Sequence, residues 1–247
     1  MWLAGSELVD VYLGETAAAV MTAGESGETD AAHWLAATSV DEAWGLVAQH
    51  MAGTDGNRRP GRRVRLWLSG ALARPFMFGP VAGLRRWAEA NDVAASMASD
   101  ATGLIGPCAI WLDDWRPDAP CLAVAMNRSL LDAIETSAAE HGLRIASIRP
   151  WWTAVLGAAL QTPEAPRCLT IEDSDALVLL SGSELMFGTA VAYAPRPDAQ
   201  QTEALLARGL LAAGIERTQA SRASLSRNSA SSDTVQVPFG VQWSRLA

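Results

Sequence analysis

Carboxylates set the first question of chemistry. Asp10, Glu42 and Asp113 or Asp114 are the residue types that could hold two divalent metals for phosphodiester cleavage. Each also has a plainer reading. Asp10 alternates outward between Val9 and Val11, Glu42 belongs to a helix start, and Asp113-Asp114 precedes Trp115-Arg116-Pro117 in a turn. Glu172, Asp173 and Asp175 crowd three carboxylates into four positions with no cation beside them in the chain, a cluster that repels a polyphosphate unless a metal intervenes. Ser6, Ser69-Gly70 and Ser181-Gly182-Ser183 lie outside any G-x-S-x-G elbow, so a serine hydrolase is not supported. His33, His50 and His141 are scattered without H-E-x-x-H, and no metal site is expected. His33 beside Trp34 reads as packing. Cys108, Cys121 and Cys168 form no C-x-x-C pair; their odd number argues against a disulfide framework and for a reduced compartment. Cys121 and Cys168 fall in apolar runs and read as small core residues.

Composition removes further classes. All 19 basic residues are arginine, so there is no P-loop lysine, no pyridoxal Schiff-base lysine and no kinase-type lysine. A net charge of −8 disfavours nucleic acid and anionic lipid as partners. Apolar residues at 49% and charged residues at 19% suit a globular chain with a sizeable core. The opening MWLAGSELVD has no charged stretch leading into an apolar one, and no window reaches 18 apolar residues. The chain is expected to be cytoplasmic, with no direct membrane insertion, reaching the inner membrane only through a partner.

The elements that must position these residues follow from period and punctuation. Residues 8–13 and 16–21 are two apolar runs separated by Gly14-Glu15, a hairpin in which Gly14 supplies backbone freedom. Residues 31–37 around Trp34 complete a three-stranded meander. Ser39-Val-Asp-Glu42 is a capping box, followed by Val40, Ala43, Trp44, Val47 and Met51 at helical spacing. Residues 63–68 form a strand. Residues 71–106 read as an insertion, helical over 81–91. Residues 109–112 form a strand, then 122–126 a buried strand, and Asn127 caps a helix ending at Gly142. Residues 143–148 form another strand, and Pro150 opens a helix to Leu160. Strand–helix–strand–helix order predicts that 122–126 and 143–148 pair in parallel. Beyond Pro163–Pro166, strands are expected at 168–171, 176–180 and 185–192, with Ser181-Gly182-Ser183 as a turn. A helix carries Leu205, Leu206, Leu210 and Ala213. Residues 218–233 read as a flexible segment, and 234–243 as an edge strand, because Pro238 cannot donate to a ladder.

Ten tryptophans against two tyrosines call for polar partners or an interface. Trp151-Trp152 and Phe76-Met77-Phe78 are the interface candidates. Arg58, Arg59, Arg62, Arg63 and Arg65 form the one basic patch, where Arg62 is the candidate for an acidic partner segment.

A meander followed by a helix occurs twice, and this order resembles the duplicated ribonuclease-H-like fold of actin-like ATPases. The run from Leu122 to Pro150 resembles the end of the first domain of pilus-assembly and type II secretion proteins of the PilM and GspL group. The run from Cys168 to Phe187 resembles the opening of their second domain. The resemblance implies an α/β, duplicated actin-like fold with a shortened second half. It implies a first domain over 1–162 with the 71–106 insertion, and a second over 167–217 plus 234–247. It also implies a nucleotide site at two hairpin bends that approach phosphates and organise magnesium. Here those bends would be Gly14, Glu15 and Thr16, and Asp173 and Ser174. Both depart from the family's Asp-x-Gly: Tyr12 takes the acidic place in the first, and glycine is missing from the second. Ala212-Ala213-Gly214 is a poor substitute for the family's Gly-Gly adenosine signature. The expectation is therefore a non-catalytic scaffold without a catalytic residue or a cofactor, ATP and magnesium being disfavoured. Its partner would be another protein, the cytoplasmic tail of a membrane protein. The alternatives are a nucleotide-dependent ATPase or sugar kinase of the same superfold, and an unrelated α/β domain.

Overall fold

The computed structural model describes residues 8–21, 32–53, 62–162, 165–183, 186–226 and 237–245. The first half runs β1 (Leu8–Leu13), β2 (Ala17–Met21), β3 (Ala32–Ala36), α1 (Val40–Gly53), β4 (Arg63–Leu68), β5 (Ala73–Phe78), α2 (Trp87–Thr102), β6 (Cys108–Leu112), β7 (Cys121–Asn127), α3 (Arg128–Glu140), β8 (Arg144–Pro150) and α4 (Trp151–Leu160). The second runs β9 (Cys168–Glu172), β10 (Ala176–Ser183), β11 (Met186–Pro195), α5 (Ala199–Ala213), a single 3-10 turn at Arg217–Gln219, β12 (Ala220–Leu225) and β13 (Val241–Arg245).

Two five-stranded sheets share one order, β3-β2-β1-β4-β8 and β11-β10-β9-β12-β13. In each, the first three strands are an antiparallel meander and the fourth joins the first in parallel. This is the duplicated ribonuclease-H-like arrangement that the element order implies. The halves part at the fifth strand. β8 lies parallel to β4 after the α3 crossover, whereas β13 lies antiparallel to β12. Antiparallel neighbours need no helical crossover. Among the described residues the second half keeps one long helix, α5, against α1, α3 and α4 of the first.

The helix starts follow the local chemistry with one change. The Asn127 side chain accepts from the Ser129 amide, and Asp198 with Gln201 closes a full capping box on α5. At α1, Ser39 Oγ accepts from the Glu42 amide at 3.2 Å, but the Glu42 carboxylate reaches back one residue further than expected. It takes the amide and hydroxyl of Thr38, at 2.7 and 2.6 Å.

Three expectations fail for reasons of tertiary contact. β7 does not pair with β8. It is the middle strand of a separate antiparallel sheet, β5-β7-β6. Its two faces feed two cores: Leu122, Val124 and Met126 join the main one, while Cys121, Ala123 and Ala125 face Ala90, Ala94 and Ala98 of α2. A strand buried on both faces reads as a continuous apolar run whichever sheet it joins. Residues 71–106 are thus mostly β5 and α2 of this third layer. Ser181-Gly182-Ser183 is the end of β10, with a register shift after Ser181, and residues 184–185 lie outside the described residues. Residues 218–225 hold most of the 3-10 turn and β12, an inner strand bonded on both sides by β9 and β13. Its neighbours impose the extended form on a Ser/Ala-rich run with little strand propensity of its own. The rest of the segment expected to be flexible, beyond Ser226, lies outside the described residues.

Helix α4 is the common wall. Trp151, Trp152, Val155, Ala158 and Ala159 are buried, as suits a helix that is apolar nearly all round. The Trp151 indole donates to the Pro238 carbonyl at 2.8 Å, and Trp152 donates to the Ala73 carbonyl at 3.0 Å. The first bond reaches the last turn of the second half, and the second reaches β5. Tyr12, Trp34, Trp151 and Phe239 pack as one aromatic cluster at this junction. Trp151 and Trp152 are therefore buried rather than exposed, and so are Phe76 and Phe78, which sit against α2 in the smaller core. An indole wedged between layers satisfies its ring by packing and its N–H by one carbonyl.

Trp151→Ala should lower unfolding free energy by about 3–5 kcal/mol. Trp151→Phe, which keeps a ring but strips the donor from the Pro238 carbonyl, should cost a further-reduced amount of about 1–3 kcal/mol. Urea unfolding followed by circular dichroism measures both, and an unchanged stability in Trp151→Phe would show that the hydrogen bond contributes nothing.

Candidate functional site

The two halves meet bend to bend. Gly14-Glu15-Thr16, between β1 and β2, faces Asp173-Ser174-Asp175, between β9 and β10. Asp175 Oδ2 accepts from the Glu15 amide at 2.7 Å and from Ser174 Oγ at 2.9 Å. Asp175 Oδ1 accepts from Thr16 Oγ1 at 2.8 Å and from Arg196 Nη2 at 3.1 Å. Arg196 Nη2 also donates to Thr16 Oγ1 at 2.8 Å. Because Ser174 gives its proton to Asp175, the 2.8 Å contact between Tyr12 and Ser174 has the phenol as donor. Asp173 makes a second seam. Its Oδ2 accepts from the Gly70 amide at 2.6 Å, beyond the end of β4, while Oδ1 takes the amides of Asp175 and Ala176, both at 2.9 Å.

The glycines serve this approach. Gly14 was expected for its backbone freedom, yet it is not among the glycines of positive φ. A Cβ there would stand 2.1 Å from Asp175 Oδ2 and 2.8 Å from Ser174 Oγ. At Gly70 a Cβ would meet Val178 Cγ2 at 2.8 Å. Both positions need the absence of a side chain so that one half can close on the other.

A cation is present after all. Arg196 is distant from the acidic bend in sequence, but the first residue of β10 pairs with the last of β11, Ala176 with Pro195. The next residue turns back with φ of +38° and its amide donates to the Asp175 carbonyl at 3.0 Å. The Asp175 side chain is wholly buried and Arg196 is half-exposed. Burial pushes the Asp173 carboxyl up to about 7, with the nearby Asp175 charge adding to it against the three amides that favour the ionised form. Burial, with the charges of Asp173 and Asp175, also holds the Tyr12 phenol well above its ordinary value, so it stays a donor.

The other candidate carboxylates are engaged apart from one another. Asp10 does not face solvent: it takes both guanidinium donors of Arg65 and the Trp67 indole N–H at 2.7 Å. Glu42 holds Thr38, and Asp114 pairs with Arg116 on the surface. No two-metal set is assembled from them, and no group of three or more His, Cys, Asp or Glu among the described residues is placed to hold a metal ion. Glu172 turns away from the bends to Arg222. Arg62 donates to the Met51 carbonyl at 3.1 Å.

Magnesium nucleotide, the ligand that the fold implies, does not fit these residues. The first-bend amide and hydroxyl that would meet a phosphate are bonded to the Asp175 carboxylate. The group facing them is the buried Asp175 carboxylate, with the partly buried Asp173 beside it, and the cation present already serves Asp175.

A different opening escaped the sequence reading. A groove of about 440 Å³ lies between the small sheet and α4. Trp111, Leu122 and Val124 form one wall, Ile148, Leu156 and Leu160 the other, and Trp152 contributes to the lining. Trp111 and Leu160 are exposed although large and apolar, at 39% and 48%. The alternation of β6, with Ile110 in and Trp111 out, was the available signal. A second cavity of about 430 Å³ beside the acidic bend is polar; four of its charged residues pair with each other, Arg222 with Glu172 and Arg196 with Asp175, while Glu203 pairs with Arg217 and Asp173 accepts backbone amides.

No family model and no curated protein matches the chain. Solved structures do. The cytoplasmic domain of EpsL, an inner-membrane component of the type II secretion system of Vibrio cholerae, aligns at 15% identity with a TM-score of 0.54 over 82% of this chain and 75% of its own. A Bacteroides thetaiotaomicron protein of unknown function with an actin-like ATPase fold aligns at 8% identity and TM-score 0.55, over 87% and 80%. A chain of the PilM-PilN type IV pilus biogenesis complex aligns at 16% identity and TM-score 0.50, over 86% and 69%. The chain thus has a divergent actin-like fold similar to those of GspL- and PilM-type proteins.

Asp173 gives the fold a pH dependence of defined sign. Its proton is held to about 7 in the folded chain against 3.8 ordinarily, so its contribution is full below about pH 4 and is lost as pH rises through about 7. Urea melts between about pH 4 and about pH 8 should show wild type losing stability with rising pH, and Asp173→Asn should flatten that slope. An unchanged slope would assign the dependence elsewhere.

Proposed function

We propose that this chain is a non-catalytic actin-like adaptor of a type IV pilus or type II secretion inner-membrane platform. It holds an extended segment of a partner protein, the cytoplasmic tail of a membrane protein, in the groove between the small sheet and α4. The carrying observation is that groove: apolar, open and displaying Trp111 and Leu160, on a frame whose two bends are bonded to each other through Asp175.

The occupant follows from the walls. β6 and β8 both contribute lining residues, and both are edge strands of their sheets. Edge strands offer backbone groups to an extended chain, and alternate side chains can then enter an apolar trough. Arg149 and Asp113 add charged groups of both signs to the lining. The volume suits a few side chains rather than a folded domain. The fold likeness to EpsL supports a place in a secretion platform, and the structure of PilM with PilN supports a protein as the partner. No helix among the described residues is long and apolar enough to cross a membrane. Under this reading the chain reaches the membrane through its partner.

Isothermal calorimetry tests the proposal with synthetic peptides covering the juxtamembrane cytoplasmic segment of a single-span membrane protein encoded beside this chain. Binding in about the micromolar range is expected. Leu160→Glu and Trp111→Ala, both at exposed positions, should each weaken it about tenfold or more without moving the melting temperature. Mg-ATP should produce no binding heat. Micromolar affinity for Mg-ATP, or peptide binding indifferent to both substitutions, would overturn the reading.

A further inference from the structure

Donors from separate parts of the chain converge on a single carboxylate, that of Asp175. The Glu15 amide and Thr16 hydroxyl come from the β1–β2 bend, the Arg196 guanidinium from the end of β11, and the Ser174 hydroxyl from the acidic bend itself. Two reach each oxygen of Asp175, which is the full complement that a carboxylate accepts. We infer that Asp175 is an internal ligand: its carboxylate fills, as a built-in oxyanion, an anion site made jointly by the β1–β2 bend of the other half and by Arg196 and Ser174 of its own, and so locks the two halves in one closed arrangement.

Three observations carry this assignment. The carboxylate has no solvent exposure, so water does not share its solvation, and a buried charge persists only when donors replace that water. One of its donors is cationic, and charge-assisted bonds of this kind are the strong ones. Space for the carboxylate is reserved on the opposite half, because any side chain at position 14 would overlap Oδ2. The geometry is that of a receptor and its ligand, with the ligand tethered through β10. Asp173 on the Gly70 amide repeats the device at the end of β4. α4 packs against β8 of the first half and β9 of the second, so a locked seam also fixes the frame around the groove without any bound nucleotide. The inference stands apart from the docking reading and does not need a partner.

The lock predicts a receptor that can be emptied. Asp175→Ala leaves the Glu15, Thr16 and Arg196 donors facing a carboxylate-sized space, which a small oxyanion from solution can take. The variant should melt about 5 °C below wild type. Acetate or inorganic phosphate, against chloride at equal ionic strength, should restore most of the loss while leaving wild type unmoved. Asp175→Asn, which fills the space without the charge, should show no response to either anion. Amide hydrogen exchange on the unmodified chain supplies the measurement that no folding failure can confound: the Glu15 and Gly70 amides should exchange about a hundredfold or more slowly than unbonded loop amides. Unprotected Glu15 in wild type would overturn the inference. So would wild-type melting of Asp175→Ala, or a loss that neither anion recovers. Failure here with intact peptide binding would leave the adaptor reading standing, and the reverse outcome would leave the lock.

Discussion

A buried carboxylate must be met on every lone pair, and this requirement at Asp175 organises the centre of the molecule. It accounts for a glycine at position 14, where nothing larger leaves room. It accounts for the left-handed backbone at Arg196, a strained conformation for a residue with a side chain, since that turn delivers the only cation of the seam among the described residues. It also accounts for tyrosine in the place where the resembling family carries an acid. A further carboxylate at position 12 would face Asp173 and Asp175 with no partner, whereas the phenol donates to Ser174 and buries its ring among Trp34, Trp151 and Phe239. The departures from the family's phosphate bends are thus mutually consistent. They convert two loops that would face a polyanion into two loops that face each other.

With the two bends bonded to each other, the proposed docking site is the groove beside α4. One side of the helix carries Trp151 towards the second half, and Trp152 bonds back to β5. The side left over forms a wall of the groove, with Leu156 and Leu160 opposite Trp111. The third sheet is what makes the groove: without β6 and β7 the outer face of α4 would be an open ledge. The insertion therefore builds a second small core through the α2 alanines, while β6 and β7, which follow it, wall the apolar groove.

The second half is simplified in a way that leaves this arrangement intact. β12 and β13 form a direct antiparallel pair, and their inner face still sends Ala223, Leu225 and Trp243 towards the shared core. Their outer face carries Arg222 and Ser224, both bonded to Glu172, so it stays polar where the first half has a further helix.

Local features were legible in the sequence because they depend on neighbours in the chain. The meander around Gly14, the Asn127 cap, the stop at Gly142 and the start of α4 after Pro150 all report short-range period and capping chemistry. The duplicated order of elements followed from them, and composition alone excluded lysine-dependent chemistry. Only the tertiary structure decided which sheet β7 joins, because a run apolar on both faces carries no mark of its partners. The same holds for β12, whose extended form is imposed by β9 and β13. It decided that Trp151, Trp152, Phe76 and Phe78 are interior, since a tryptophan's N–H can be satisfied by a carbonyl far off in sequence. It also brought Arg196 to Asp175 across the breadth of a hairpin. Hydrogen bonds between bends some 160 positions apart, such as Glu15 to Asp175, leave no periodic trace in the chain. They arise from packing two halves together, and that packing is where this molecule's centre was determined.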